Sequence, residues 1–148
     1  MTHNQIPWES ILWKAGHRVT RQRALILDAV CSGGGHTPLS DICGRVRKLD
    51  ATIDRSTLYR TLRLFVELGI VVAADTGGAE TEYEIAKVAP HHHLVCRGCG
   101  SEQEISAHAL EAMVREVRSH HQFQIETDHL VLFGYCDACR PQTDLDGH

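Results

Sequence analysis

Apolar residues recur at helical spacing in four segments of the first half of the chain, which predicts helices over residues 7–16, 21–31, 39–49 and 56–68. Thr20 is the expected N-cap of the second helix. Thr37 followed by Pro38 is a favoured start for the third, with the proline in the first helical turn. The residues that the third helix is expected to bury are Leu39, Ile42, Val46 and Leu49.

A β-hairpin is predicted directly after the fourth helix. Residues 70–74 and 81–86 have strand composition, and the glycine-containing segment 75–79 between them has turn composition. Three or four short helices closed by a hairpin form the outline of a winged helix-turn-helix. The sequence therefore predicts a DNA-binding domain over residues 1–86.

The second half of the chain has a different pattern, and a short hinge at 87–90 separates it from the first. Strands are predicted at 93–96 and 102–105 and a helix at 106–121, followed by the apolar run 130–133. That run is apolar on both sides of the pleat, so burial of both faces in so small a domain is expected to need a second subunit. The helix residues expected to point inward are Leu110, Met113, Val114 and Val117. The overall prediction is an α+β protein whose residues 91–148 form a small α/β dimerisation domain.

Charge is distributed unevenly along the chain. Residues 1–80 contain ten Lys and Arg against eight Asp and Glu, whereas residues 81–148 contain five against eleven. Bound divalent cations would offset the acidic excess of the second half. With neither a signal peptide pattern nor a long apolar run, the chain is expected to be cytoplasmic and without a membrane partner.

Two Cys-x-x-Cys pairs in the second half predict a structural zinc site, because four thiolates close a tetrahedron around Zn²⁺. The predicted ligands are Cys96, Cys99, Cys136 and Cys139. A redox dithiol or buried thiols are the alternatives, but the repeated spacing and the glycines at 98 and 100 favour the metal knuckle. Cys31 and Cys43 lack partner spacing and are interpreted as small core residues.

The predicted fourth helix is the candidate recognition helix, since polar and basic side chains near its start are suited to bases and phosphates. Basic residues ahead of it are suited to the DNA backbone. The candidate DNA contacts are Lys14, Arg18, Thr20, Arg21, Arg23, Ser56, Thr57, Tyr59 and Arg60.

Three consecutive histidines precede the first cysteine pair. The two-residue period of a strand places His91 and His93 on one face and His92 on the other. Glu84 and Glu104, on adjacent segments, are expected to complete a site of imidazoles and carboxylates suited to Fe²⁺, Mn²⁺, Zn²⁺ or Ni²⁺.

These motifs together resemble the ferric uptake regulator (Fur) family over residues 16–139. The segments that carry the resemblance are 18–23, 56–62, 67–69, 91–100 and 133–139. The resemblance implies a homodimeric, metal-dependent transcriptional repressor that binds double-stranded DNA at a palindromic, A·T-rich operator. It also implies a structural zinc at the four cysteines and a regulatory metal that ties the two domains together, bound by His36, Glu84, His91, His93 and Glu104.

A further family site is only partly matched. His92 and Glu111 correspond to it, Pro90 replaces a frequent histidine, and the last ligand is Asp128 or His129 depending on a one-residue shift.

The resemblance favours Fe²⁺ as the sensed ion, with Zn²⁺ second. Peroxide-sensing relatives use aspartates where this chain has Glu84 and Glu104, and zinc-sensing relatives often place a cysteine near the hinge, where residues 84–90 contain none. The three consecutive histidines keep Ni²⁺ open.

Two other classes of function compete with a regulator. A zinc hydrolase or deaminase is disfavoured because four thiolates leave no open position for water, and because the His-x-Glu and Pro-Cys-x-x-Cys deaminase signature is absent. A zinc-ribbon adaptor that binds only protein is disfavoured by the basic first half and its predicted wing. The chain is thus not expected to be an enzyme.

Overall fold

The computed structural model describes residues 6–87, 89–126 and 129–141, and it divides the chain into two compact units. The first unit is Met1–Val88 and the second is Ala89–His148. Both contain helices and sheet, in agreement with the predicted α+β class. No helix of the described residues is both long and apolar enough to cross a bilayer.

The described residues of the first unit form four helices, and side chains cap the two that matter most for the candidate DNA surface. The helices are α1 (Trp8–Lys14), α2 (Arg21–Cys31), α3 (Leu39–Leu49) and α4 (Arg55–Glu67). Thr20 Oγ1 accepts a hydrogen bond from the Arg23 amide at 3.3 Å, as predicted for the N-cap of α2. Asp54 Oδ1 accepts one from the Thr57 amide at 2.6 Å, which fixes the start of α4. The hydrogen bond from the Thr57 amide also lowers the pKa of the Asp54 carboxyl.

One apolar cluster joins the helices of the first unit. Its fully buried side chains include Leu12, Ile26, Ile42, Leu62 and Phe65. The prediction for Leu49 was wrong, because this last residue of α3 is 52% exposed. Leu49 is the last residue of the helix, whereas the buried Ile42 lies in its first half.

The wing is a three-stranded antiparallel sheet with the order β1–β3–β2. Its strands are β1 (Thr37–Pro38), β2 (Val71–Ala74) and β3 (Glu82–Ile85).

The first of these strands corrects a prediction, because Thr37 and Pro38 do not begin a helix but pair with Tyr83 and Glu82. The buried Thr37 hydroxyl donates to the Val30 carbonyl at 3.3 Å, so it does not cap α3. The carboxylate of Glu80 performs that role instead, accepting from the Ser40 amide at 2.9 Å.

The second unit is built on a three-stranded sheet with the order β5–β4–β6. The strands are β4 (His91–Cys96), β5 (Glu102–Ser106) and β6 (Val131–Gly134). Strand β4 pairs antiparallel with β5 and parallel with β6. A 3₁₀ turn at Ala107–Leu110 leads into α5 (Glu111–His121), so the α-helix starts five residues later than predicted.

Within the single chain, the second unit buries little apolar surface. Cys96 is the only buried apolar residue of its described part. Met113, predicted to point inward, is 41% exposed, and Phe133 on β6 is 40% exposed. Burial of β6 on both faces is therefore not achieved by one chain, and its completion by a second subunit stays a prediction.

Candidate metal centres and DNA-binding surface

The four predicted cysteines meet at one end of the second unit's sheet; we call Cys96, Cys99, Cys136 and Cys139 the cysteine cluster. The parallel register pairs Cys96 at the end of β4 with Gly134 at the end of β6, so the two Cys-x-x-Cys turns emerge side by side. All four sulfur atoms lie within 4.8 Å of one another. The Sγ atoms of Cys99 and Cys136 are 3.9 Å apart. Zinc–sulfur bonds of about 2.3 Å place tetrahedral sulfurs about 3.8 Å apart, so the cluster fits Zn²⁺.

Hydrogen bonds to sulfur prepare the cysteine cluster for a cation. The Cys136 amide donates to Cys96 Sγ at 3.3 Å. This bond, with the amides of Cys99 and Gly98, lowers the pKa of the Cys96 thiol to about 6. Contacts with the sulfurs of Cys136 and Cys99 raise the pKa of the Cys139 thiol to about 12. Four thiolates at such short range need a compensating charge, and Zn²⁺ supplies it.

The first cysteine turn is too tight for a side chain at position 98. A Cβ added to Gly98 would lie 2.6 Å from Cys139 Cβ and 3.0 Å from Cys139 Sγ. The neighbouring Gly100 has a φ of 72°, a left-handed conformation that glycine adopts without strain, and its amide donates to the Cys96 carbonyl at 2.8 Å. Both glycines thus belong to the metal-binding turn.

Gly98→Ala is expected to displace Cys139 and to lower the zinc affinity of the full-length protein by at least about tenfold. The measurement is zinc transfer to a chromophoric chelator. Gly134→Ala is the matched control, because a Cβ at that position meets nothing within 4 Å. Equal chelator resistance in the two variants would contradict the role assigned to Gly98.

Three imidazoles converge on one side of β4; we call His91, His93 and His129 the histidine cluster. The ring centroids of His91 and His93 are 5.0 Å apart, as the alternation of a strand predicted. The ring of His129 joins them, 5.1 Å from His91 and 4.7 Å from His93.

Two carboxylates of β5 accompany the histidine cluster. Glu104 has an oxygen within 4.8 Å of a His91 nitrogen. Glu102 Oε1 lies 2.6 Å from His93 Nδ1. The sequence interpretation missed Glu102, although the two-residue period of β5 places it on the same face as Glu104.

His92 projects to the other side of β4. Its Nδ1 accepts a hydrogen bond from the Leu130 amide at 3.1 Å. Together with Glu111 it lines a groove of about 460 Å³ beside α5. His129 was one of the two alternatives for the last ligand here, and the structure instead places it with His91 and His93. The other alternative, Asp128, lies outside the described residues, and among those described no third ligand joins His92 and Glu111.

The remaining predicted ligands form a pair within the first unit. His36 Nε2 lies 3.5 Å from Glu84 Oε2. The other oxygen of Glu84 is 3.4 Å from Lys87 Nζ. An imidazole and a carboxylate are thus held together at the point where β1 begins, next to β3.

The start of α4 presents a polar surface. Ser56, Tyr59 and Arg60 are exposed, and Arg60 donates to Thr57 Oγ1 at 3.4 Å. Arg55, which the sequence interpretation omitted, lies 6.0 Å from the Tyr59 ring centroid and adds a cation to this surface. Its position directly after the Asp54 cap was the available signal.

The predicted backbone contacts lie between α1 and the first turn of α2. Lys14, Arg18 and Arg21 are exposed, and Arg23 donates to the Arg18 carbonyl. Thr20 is exposed, but its hydroxyl already caps α2.

Comparison with known proteins decides the family. The sequence profile of the ferric uptake regulator family matches residues 14–133. The chain belongs to the ferric uptake regulator family. The zinc uptake regulation protein of Mycobacterium tuberculosis is 35% identical over 126 residues, which is 85% of this chain and 97% of that protein. The ferric uptake regulation protein of Escherichia coli is 32% identical over 138 residues, 93% of each chain.

The fold agrees with this assignment. The crystal structure of the Vibrio cholerae ferric uptake regulator has a TM-score of 0.67 and 29% identity to the chain, and the match covers 86% of this chain and 98% of that one. Members of the ferric uptake regulator family are metal-responsive transcriptional regulators and not enzymes, which excludes the hydrolase alternative. The winged-helix prediction is confirmed with the fold.

Proposed function

We propose that this member of the family is a cytoplasmic transcriptional repressor in which a regulatory ion at the histidine cluster controls DNA binding. One observation carries the proposal: the second unit brings together two sets of candidate metal donors of different chemistry, and both include residues of β4. The cysteine cluster offers four thiolates and leaves no position for exchange. The histidine cluster offers imidazoles and carboxylates, whose bonds to a divalent ion are more readily reversed.

The donor chemistry supports Fe²⁺ as the regulatory ion. Imidazole with carboxylate suits Fe²⁺, and residues 84–90, where zinc-sensing relatives often have a cysteine, contain none. Zn²⁺ is the second candidate, since the M. tuberculosis relative is a zinc uptake regulation protein. Mn²⁺ and Ni²⁺ bind the same donor types, so affinity must be measured for each ion.

The regulatory step that we propose is capture of one ion by donors of both units. His36 and Glu84 would add their nitrogen and oxygen to those of the histidine cluster. A ligand moves a two-state equilibrium only by its difference in affinity for the two states, and a shift from 1:99 to 99:1 needs about 5.5 kcal/mol. Several metal–ligand bonds made in one state alone supply free energy of that order. Rearranged DNA-binding domains in the V. cholerae regulator support such a switch.

The DNA-bound species that we propose is a homodimer. The exposed Phe133 and Met113 of the second unit are available for burial by another copy of the chain. A two-fold dimer presents two α4 helices, so its operator is expected to be palindromic. The family resemblance adds the expectation that this operator is A·T-rich. The first turn of α4 supplies the base contacts and the cations near α2 bind phosphates.

The test is anaerobic DNA binding by the full-length, zinc-replete protein, with and without Fe²⁺, Zn²⁺, Mn²⁺ or Ni²⁺. The DNA is the promoter region of the chain's own gene, and the measurement is fluorescence anisotropy at several salt concentrations. At least about a hundredfold tighter binding with the regulatory ion is expected, at the upper end of typical coupling energies. Equally tight binding after chelation of the exchangeable ion would overturn the proposal.

Arg60→Ala is expected to weaken metal-dependent DNA binding by about tenfold or more, because it removes a cation from the first turns of each α4. If the lost contact is with phosphate, the slope of log K for DNA binding against log salt concentration should become shallower by about 0.9 per contact. Arg118→Ala, an exposed change on α5, is the matched control and should bind as the wild type does. Unchanged affinity in Arg60→Ala would remove this residue from the DNA surface.

A further inference from the structure

We propose that His129 is a direct ligand of the regulatory ion, so that the second unit alone supplies three imidazole nitrogens. This inference rests on the proposed function, and it extends the ligand set derived from sequence, which held His91 and His93 but not His129 in this role.

The spacing of the three rings matches imidazoles that share one ion. With metal–nitrogen bonds of about 2.0–2.1 Å, two coordinated ring centroids lie about 4.5 Å apart at a right angle and about 5.2 Å apart at the tetrahedral angle. The observed separations of 5.0, 5.1 and 4.7 Å fall within this interval. The rings are edge-to-face or tilted and not stacked, with interplanar angles of 75°, 81° and 50°.

The backbone on the C-terminal side of His129 is fixed against β4. The His93 amide donates to the Leu130 carbonyl at 2.8 Å, and the Leu130 amide donates to His92 Nδ1 at 3.1 Å. Both polar groups of Leu130 are therefore bonded to consecutive residues of β4. The parallel register begins with His93 and Val131. His91 and His129 each lie two residues earlier in the chain, and their ring centroids are 5.1 Å apart.

Two carboxylates lie beside the cluster. Glu102 Oε1 is 2.6 Å from His93 Nδ1, so it places a negative charge next to that ring. Glu104 offers an oxygen close to His91. In this proposal the second unit contributes three nitrogens and one oxygen, which hold the ion before any donor of the first unit takes part.

Separate roles follow for the two groups of ligands. The histidine cluster sets the affinity for the ion, whereas the His36–Glu84 pair couples the bound ion to the DNA-binding unit. His129→Gln should therefore weaken metal binding by the second unit itself. His36→Gln should lower the affinity only by the coupling free energy, leave the ion at the histidine cluster and abolish its effect on DNA.

The experiment is titration of the full-length, zinc-replete protein with Co²⁺, followed by visible absorption and by competition with a chelator. His129→Gln is expected to raise the Kd for Co²⁺ by about tenfold to a hundredfold and to change the absorption spectrum, with the cysteine-bound zinc retained. His120→Gln is the matched control, because His120 is an exposed histidine of α5 that pairs with Glu116. Kd and spectrum within twofold of wild type in folded His129→Gln would overturn the inference.

His93→Gln separates this failure from failure of the proposed function. If His93→Gln loses Co²⁺ affinity and His129→Gln does not, only the inference about His129 fails. If neither variant changes Co²⁺ binding, the histidine cluster is not the regulatory site.

A measurement on the wild-type protein covers the case in which His129→Gln does not fold. Acylation of histidines by diethyl pyrocarbonate, mapped by mass spectrometry, should be suppressed at His129 by Co²⁺ and unaffected at His120. Equal labelling of His129 with and without Co²⁺ would overturn the assignment.

Discussion

Cys96→Ser is expected to abolish zinc binding and to unfold the second unit, so that the chain no longer dimerises. Structural zinc contributes about 10 kcal/mol or more to the folding of small zinc-binding units. Within one chain, the second unit has little apolar burial to compensate, since Cys96 itself is its only buried apolar residue in the described part. Zinc content by elemental analysis and mass by sedimentation measure the two effects.

Cys43→Ser provides the control for this change. Cys43 is a partly buried residue of α3, packed against the core of the first unit and remote in sequence from both cysteine pairs. It should keep one zinc per chain and the dimer, with at most a modest loss of thermal stability. A dimeric Cys96→Ser protein that still holds one tightly bound zinc would refute the structural role of the cysteine cluster.

His93→Gln is expected to leave a folded, zinc-containing dimer whose DNA binding no longer responds to the regulatory ion. The substitution removes the imidazole that lies between Glu102 and His129. Loss of one such ligand costs at least about tenfold in metal affinity, and loss of the coupling removes the metal-dependent gain in DNA affinity. Anisotropy with a metal titration measures the response, and circular dichroism reports the fold.

His92→Gln is a closely matched control, because it alters the adjacent histidine on the opposite side of β4. The glutamine oxygen can still accept the hydrogen bond that the Leu130 amide donates to His92. This variant should respond to the ion as the wild type does. If His92→Gln and His93→Gln lose the response equally, the division of the strand into two functional sides is wrong.

Much of the first unit could be predicted from the sequence because its helices are determined by residues close together in the chain, through N-caps and apolar periodicity. Thr20 caps α2 by accepting a hydrogen bond from an amide three residues away. The apolar residues Leu58, Leu62 and Phe65, which the spacing placed on one face of α4, are buried. Thr37 and Pro38 were misassigned because their strand partners, Tyr83 and Glu82, are distant in sequence. A cap preference competes there with strand pairing, and pairing prevails.

The same distinction between local and distant signals holds for the candidate sites. Cysteine spacing and strand alternation predicted which residues converge at the cysteine cluster and which two histidines share a face. His129 could not be placed by spacing, because its position depends on the parallel pairing of β4 with β6 across the intervening helix. A one-residue uncertainty in that register exchanges the two faces of the strand.

The parallel pairing of β4 with β6 also imposes an order of assembly. The strand pair ends at Cys96 and Gly134, where the cysteine turns begin, and it brings His129 beside His91 near its opposite end. Zinc that joins the two cysteine turns would hold β4 and β6 in register. Without it, the histidines of β4 and the histidine before β6 would lose their relative positions. We therefore expect a newly made chain to need zinc before it responds to any other ion, so that zinc starvation would abolish the response whichever metal is sensed.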